Sequence, residues 1–216
     1  MPSALPASAS VVADEVAPGA GAAAADLFLT LAAAFTPPPA PMSASDWSLP
    51  LAADIEELGE ALDLDAAATA RTLRAVAADR RMDEPWLVDY SRLFLVPPVP
   101  VTLNTGMYLE GSLGGSSAQM MQQCYGVAGF AVRETFRDLP DHVAIQLEFV
   151  AALLQRAQTG DDAARDMARE FTDAFIVHWV DPMHAACGKA AVHDPAARAY
   201  AGLADVLRQA AHRSLL

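Results

Sequence analysis

Alanine-rich stretches recur along the chain from Ala22 to Ala211, and they limit the possible fold more than any other feature. Alanine is the best helix former among the amino acids, and runs of β-branched residues bounded by turns, which indicate strands, are absent. A chain of 216 residues is also long enough to bury one sizeable core. We therefore predict an all-α fold, built as a single compact helical bundle.

Hydrophobic periodicity and the positions of proline and glycine predict where the helices lie. Asp65 is expected to cap the third helix, and Asp138 or Asp141 the sixth. The seventh helix is expected to be interrupted at Pro182. Its apolar side is predicted to carry Met167, Phe171, Phe175 and His178. The other predicted helices span 23–35, 50–61, 65–79, 83 or 84 to about 95, 118–135, 138–158 and 195–212.

The amino-terminal stretch and the cysteines indicate the compartment. Residues 1–22 are biased towards Ala, Ser, Pro and Gly and are predicted to be a disordered leader, which leaves 23–216 as the helical domain. The leader lacks the basic region of a secretory signal, and no apolar run reaches the ~20 residues that a bilayer span needs. Cys124 and Cys187 do not make a disulfide framework. We expect a cytoplasmic protein without stable membrane insertion.

Negative charge is concentrated in the first third of the chain. The formal net charge is −13, and residues 1–70 contain ten acidic residues but no lysine or arginine. Such a chain repels phosphate backbones and anionic lipids, so nucleic acid and membrane surfaces are not its expected partners, whereas a basic peptide would suit it. A simpler interpretation is that the charge only keeps an alanine-rich chain in solution.

The usual sequence signatures of catalysis are missing. The chain has no phosphate-binding Gly-Lys loop, no dinucleotide-binding glycine motif after a strand, no zinc-protease motif and no nucleophile elbow. Asp141 and His142 are conceivable as an acid/base pair, but no partner nucleophile is visible, and helix capping explains the aspartate as well. We predict that the protein is not an enzyme and holds neither a cofactor nor a metal.

One alternative function rests on potential metal ligands near the carboxyl end of the chain. Histidine and cysteine are suitable ligands for transition metals. In this alternative the chain is a small helical metal-binding protein. Its ligands would be His178, His184, Cys187 and His193. The spacings match no closed site, and a core histidine is the commoner explanation for His178 on an apolar stripe.

Several segments resemble the motifs of one chaperone family. Tyr90-Ser91-Arg92-Leu93-Phe94, followed by Pro97, resembles its Tyr-x-x-Leu-Phe-x-x-Pro segment. Pro140-Asp141-His142, followed by Leu147-Glu148-Phe149, resembles its Pro-Asp-His-x-x-x-x-Leu-Glu-Phe signature and is the most specific match. Further likenesses occur in matching order at 107–110, 125–129 and 175–179. The chain thus resembles the TorD/DmsD/NarJ family of redox enzyme maturation chaperones.

The resemblance implies a bundle of the TorD/DmsD type and a chaperone with no chemical turnover of its own. The partner it implies is a molybdopterin-containing catalytic subunit of anaerobic respiration. Its twin-arginine leader would be bound until the cofactor is inserted and before export. Carried over from the family, the signal-peptide site falls on Asp141 and His142, and the loop that ends at Tyr108 lines the same groove.

Physical reasoning extends this site to three more residues. The guanidinium groups of the leader need carboxylates with bidentate geometry, which Glu110 and Glu148 could supply. The apolar part of the leader needs a groove, for which Met107 is suited because methionine adapts to varied side chains. Glu148 also has an internal alternative, an ion pair with Arg92 or Arg133. The predicted client-binding site therefore contains Met107, Tyr108, Glu110, Asp141, His142 and Glu148.

Overall fold

The computed structural model describes residues 19–79, 84–133 and 136–213. Helices account for most of these residues, and the only β-structure in the described ranges is an isolated antiparallel bridge between Asn104 and His142. The all-α prediction is confirmed. The helices are α1 Ala20–Ala34, α2 Ala44–Ala61, α3 Ala67–Ala78, α4 Trp86–Phe94, α5 Gly106–Leu109, α6 Ser116–Val127, α7 Val143–Gln158, α8 Asp162–Phe171, a π turn Thr172–Ile176, α9 Val177–Ala190 and α10 Pro195–His212.

Helix α1 lies in the middle of the packing. It lies against α7 over most of its length and also contacts α2 and α10. Ala23, Ala24 and Ala25 are buried together with Leu27 and Phe28. Because these alanines are small, the neighbouring helices can approach α1 closely from more than one side. The alanine-rich composition therefore serves close helix packing as well as helix formation.

Six aromatic side chains form a cluster where α1, α2, α4 and α10 meet. The rings of Trp47 and Trp86 are stacked with centroids 4.5 Å apart. Trp86 Nε1 donates a hydrogen bond of 3.1 Å to the Tyr200 hydroxyl, and the Tyr90 hydroxyl donates one of 3.0 Å to the main-chain oxygen of Phe35. The remaining member of the cluster is Phe94. Since Tyr90 and Phe94 belong to the Tyr-x-x-Leu-Phe motif, that motif serves the core.

The amino-terminal ends of α2 and α3 differ from the predictions. Helix α2 begins at Ala44, because Ser43 and Asp46 form a reciprocal capping box, and Pro50 lies inside the helix. Asp65 does not cap α3: the helix begins one residue later than that cap would require, with Ala66 at the cap position. The main chain of Asp65 is instead held by the Gln209 side chain of α10, with 2.9 Å from the Asp65 amide to Gln209 Oε1.

The middle of the chain also contains differences from the predicted boundaries. Helix α4 begins at Trp86, with Pro85 at the cap position rather than in the first turn. The loop predicted to end at Tyr108 contains the start of the short helix α5. Helix α6 ends at Val127, eight residues before the predicted end, because the chain turns at Gly129, where φ is +72°.

The π turn changes which residues of the seventh predicted helix face the core. A π turn adds one residue to the helical repeat, so the inward-facing position moves along the sequence. Trp179 is fully buried and His178 is exposed, which corrects the prediction of an inward-facing His178. Pro182 does not interrupt α9. The buried side chains on both sides of this proline, including Val180 and Met183, hold the helix against the core.

The predicted leader lies mostly outside the described residues. Helix α1 begins at Ala20, three residues before the predicted start of the helical domain. Disorder of residues 1–18 stays a prediction. None of the helices in the described ranges has the length and apolarity that a membrane span requires.

Replacing Tyr200 by phenylalanine tests the aromatic cluster. The change removes the acceptor of the Trp86 Nε1–H group, which is buried and would be left without a partner. We expect the free energy of unfolding to fall by about 1–3 kcal/mol, as urea titration followed by circular dichroism would measure. Unchanged stability would contradict a structural role for this bond.

Candidate functional site

Hydrogen bonds of Asp141 and Val143 hold the loop before α5 against the start of α7. The Gly106 amide donates to Asp141 Oδ2 at 2.8 Å, and the Thr105 amide donates to the Asp141 main-chain oxygen at 3.1 Å. On the other side of the bridge, the Val143 amide donates to the Leu103 oxygen at 2.8 Å. Asp141 is fully buried, so its carboxylate faces this loop rather than solvent. A direct contact between Asp141 and a client stays a prediction.

A buried glutamine connects this loop to α9. Gln146 Nε2 donates to both Thr105 Oγ1 and the Asp141 main-chain oxygen at 2.8 Å. Gln146 Oε1 accepts a hydrogen bond of 2.9 Å from Trp179 Nε1. Gln146 and Trp179 are fully buried, and every polar atom of the glutamine amide has a partner. The network fixes the loop relative to two helices, because a buried polar group without a partner is costly.

His142 caps α7, a role that the sequence analysis assigned to Asp138 or Asp141. Its Nδ1 accepts a hydrogen bond of 3.1 Å from the Ala144 amide. Burial lowers the pKa of His142, although Asp138 and Asp141 oppose this effect with their negative charge. The neutral ring therefore carries its proton at Nε2. The ring packs against Phe136 in a T-shaped arrangement, with ring centroids 5.3 Å apart.

Three of the predicted residues line one groove, which we call the loop groove. It has a volume of about 420 Å³, and Met107, Tyr108 and His142 contribute to its walls. The rest of its lining is mostly apolar and comes from the end of α4, the segment 99–104, the loops before α6 and α7, and α9. These residues are Phe94, Leu95, Val99, Pro100, Thr102, Leu103, Asn104, Leu113, Asp138 and Ala186.

The side chains of the loop groove differ in exposure and charge. Met107 is 42% exposed. The hydroxyl of Tyr108 donates to the Thr102 oxygen at 3.0 Å, and burial raises the pKa of Tyr108, so this ring is fixed and neutral. Asp138 is exposed at the edge, where Asn104 Nδ2 and the Leu139 amide donate to its Oδ1 at 2.8 and 2.7 Å. The groove thus combines an apolar wall with one oriented surface carboxylate.

The Glu110 carboxylate caps the amino-terminal end of α6. Its two carboxylate oxygens accept hydrogen bonds from the amides of Ser116 and Ser117 at 3.1 and 3.0 Å, and from their hydroxyls at 2.8 and 2.5 Å. These bonds lower the pKa of Glu110 to about 2. A Cβ on Gly115 would collide with this carboxylate, so a larger residue there would displace the capping group. Glu110 is exposed, but its hydrogen-bonding capacity is already occupied within the chain.

Glu148 lies in a neighbouring cavity rather than in the loop groove. That cavity has a volume of about 380 Å³, and Arg133 and Phe136 also line it. Glu148 is half-buried, and within the described residues it makes neither a hydrogen bond nor an ion pair. The internal alternative is not supported: Arg92 pairs with Glu84 and Asp89. Phe136 lines this cavity and contacts His142, which lines the loop groove, so the two cavities are neighbours.

The two alternative chemistries find no support in the described residues. The Asp141 carboxylate bonds to the loop and His142 Nδ1 to α7, so the two side chains do not form an acid/base pair with each other. No group of three or more His, Cys, Asp and Glu side chains in the described ranges is placed to hold a metal. Of the proposed ligands, His178 is exposed and Cys187 is fully buried, so they point in different directions.

Sequence reasoning missed Asp138 as a surface carboxylate and Gln146 as the centre of the buried network. Asp138 was assigned to helix capping because it lies just before a predicted helix. Gln146 follows the Pro-Asp-His motif by one helical turn, which places it on the inner face beside the loop. A polar residue inside an otherwise apolar run was the available signal, since buried polar groups need partners.

Replacing Asp141 by alanine tests its structural role. The change leaves the buried Gly106 amide without an acceptor. We expect the free energy of unfolding to fall by about 1–3 kcal/mol in urea titration, whereas Asp141→Asn, which retains an oxygen, costs less. If Asp141→Ala weakens client binding at full stability, the residue acts on the client directly.

The capping carboxylate of Glu110 predicts a pH dependence of stability. Because folding lowers its pKa from the ordinary 4.5 to about 2, the folded state binds fewer protons than the unfolded state in this range. The stabilisation is complete above pH 4.5 and is lost as the pH falls towards 2. In urea titrations at several pH values, Glu110→Gln should flatten this dependence. A curve parallel to that of the parent chain would contradict the cap.

Comparison with known proteins agrees with this fold and shows the family. The family model described as nitrate reductase delta subunit matches residues 50–185. The crystal structure of a candidate redox enzyme maturation protein from Archaeoglobus fulgidus is similar, with a TM-score of 0.53, 19% identity, and coverage of 91% of this chain and 97% of that one. At this identity the likeness shows the fold alone. No curated protein matches the chain. The chain belongs to the nitrate reductase delta subunit family, whose members act with molybdoenzyme catalytic subunits as maturation chaperones and are not catalysts.

Proposed function

We propose that this protein holds the twin-arginine leader of a molybdopterin-containing catalytic subunit in the loop groove during maturation. The observation that carries the proposal is the groove itself, which has an apolar wall and an oriented carboxylate at its edge. A leader with adjacent arginines and an apolar stretch has the complementary chemistry. The leader would be bound before export, so the proposed place of action is the cytoplasm.

The apolar part of the leader would lie along the wall formed by Met107, Leu113 and Val99. These side chains are 42%, 61% and 42% exposed, which is high for residues of this type around one groove. Methionine and leucine side chains can adapt to several leader sequences. Tyr108 and His142 would form the rigid part of the wall, because both are held by hydrogen bonds to the main chain.

The arginines of the leader would meet Asp138 rather than Asp141 or Glu110. Asp138 is exposed, and its Oδ2 atom makes no hydrogen bond within the described residues. Glu148 offers a second carboxylate beyond Phe136. Asp141 would act on binding by positioning the loop. In this assignment the Pro-Asp-His motif would support the site through the position of the loop, although its aspartate is buried.

Binding of a leader-like peptide tests the proposal. The probe is a fluorescent peptide with two adjacent arginines followed by an apolar stretch, and the readout is its fluorescence anisotropy. We expect Asp138→Asn to weaken binding about three-fold, because it removes one surface charge pair and preserves the side-chain shape. Met107→Gln should weaken binding to a similar degree through lost apolar contact.

Matched variants make this result specific. Asp162→Asn removes another exposed aspartate, at the start of α8, and Met120→Gln changes a methionine that is 47% exposed outside the loop groove. Neither should alter the affinity. Replacing both arginines of the peptide by glutamine should abolish the effect of Asp138→Asn. Equal affinities of all four variants for the parent peptide would contradict leader binding in the loop groove.

A further inference from the structure

A second groove runs along the surface between α1 and α2 and shares no lining residue with the loop groove. Two adjoining cavities, of about 530 and 310 Å³, have Leu29, Thr30 and Asp54 in common and therefore form one continuous depression. We call it the α1–α2 groove. From Asp26 to Ala34 it follows α1 for about 12 Å, which corresponds to about two turns of helix.

The floor of the α1–α2 groove is apolar. Leu29 is 37% exposed, and the half-buried Met42 and the mostly buried Trp47, at 8% exposure, also line the groove. The proline tract at 37–39 belongs to the same lining. These apolar side chains come from α1, from α2 and from the connection between them, so the surface is continuous rather than scattered. Continuous apolar surface with a polar edge is typical of a place where another protein binds.

Every ionisable side chain that lines the α1–α2 groove is acidic. They are Asp26, Asp46, Asp54 and Glu57. The Ser43 hydroxyl lowers the pKa of Asp46, which keeps it ionised. Asp26, Asp54 and Glu57 are exposed and form no ion pair within the described residues, whereas nearby Glu56 is paired with Arg74. The groove therefore presents uncompensated negative charge around an apolar floor.

We propose that the α1–α2 groove binds a cationic amphipathic helix of a partner protein. Its apolar side would lie on Leu29 and Met42, above the mostly buried Trp47, and its lysines or arginines would lie near the acidic edge. The groove walls are helices whose main-chain groups bond within the helices, so an extended peptide would find no strand edge to pair with. A helix satisfies its own main chain. The inference does not depend on leader binding in the loop groove.

Charge argues against the two occupants that the chain itself could supply. A second copy would bring another net charge of −13, including the same four carboxylates, to the interface. Residues 1–18 contain Asp14 and Glu15 and no lysine or arginine. Like charges brought together in this way disfavour association. A basic partner is the occupant that the edge of the groove favours.

A synthetic helix tests the inference on the full chain. The probe is a fluorescent peptide of about 14 residues, with leucine and lysine arranged at helical spacing, titrated at low salt. Asp54→Asn together with Glu57→Gln should raise its Kd about five-fold, since two charges near the ligand are lost. The control pair Glu60→Gln and Asp65→Asn removes the same number of negative charges outside the groove and should leave the Kd unchanged.

A second pair of variants tests the apolar floor. Leu29→Gln lies in the groove, whereas Leu49→Gln changes a leucine of α2 that is 49% exposed outside it. Only Leu29→Gln should weaken binding, again several-fold. A peptide with glutamate in place of lysine should not bind. Equal weakening by both charge pairs, or by both leucine variants, would show general attraction to an acidic protein and would overturn the inference.

Two further outcomes would also overturn it and leave the proposed function unaffected. The first is that Asp138→Asn weakens binding of the lysine peptide and the groove variants do not, which would place that peptide in the loop groove. The second is that the parent chain dimerises in sedimentation and Leu29→Gln makes it monomeric, which would make a second copy the occupant. Leader binding is measured with the other peptide, so the two proposals fail separately.

Discussion

The site depends on the hydrogen bonds that Asp141 accepts from residues 105 and 106. A helical bundle satisfies its main-chain groups within its helices, whereas the chain between α4 and α6 is largely irregular and needs partners elsewhere. Asp141 supplies them with its carboxylate and its main-chain oxygen, and Gln146 bonds to that same oxygen while holding Trp179. The loop is thereby fixed against α7 and α9, and the loop groove is the space that it leaves.

This arrangement separates the residues that build the site from those that face a ligand. Tyr90 and Phe94 bury their rings in the aromatic cluster, and the Tyr125 hydroxyl donates to the Pro140 oxygen at 3.0 Å, which supports the turn before Asp141. The motifs that identify the family therefore mainly stabilise the fold. The surface proposed to meet a client consists of exposed residues such as Met107, in the short helix α5, and Asp138, in the loop before α7. Client preference can then change at these positions without loss of the fold.

Sequence reasoning predicted the helical class and most helices, including α10 with its observed limits 195–212, because periodicity and end signals act locally. Its errors have tertiary causes. Gln209 holds the main chain of Asp65, and the π turn moves Trp179 rather than His178 into the core. For the site, the structure shows that Met107, Tyr108 and His142 line one groove, and their contact with a client stays a prediction. Which carboxylate faces solvent depends on the folded loop, and short-range patterns do not contain that information.

The most direct measurement of the central claim is affinity purification of the tagged chain from its native host, grown under respiratory conditions, followed by mass spectrometry of the proteins that co-purify. The account predicts a molybdopterin-containing catalytic subunit, recovered with its twin-arginine leader still attached, because the chaperone acts before export. If that subunit is expressed in the same cells but does not co-purify, or if it is recovered only in the cleaved form, the account of leader binding in the loop groove is contradicted.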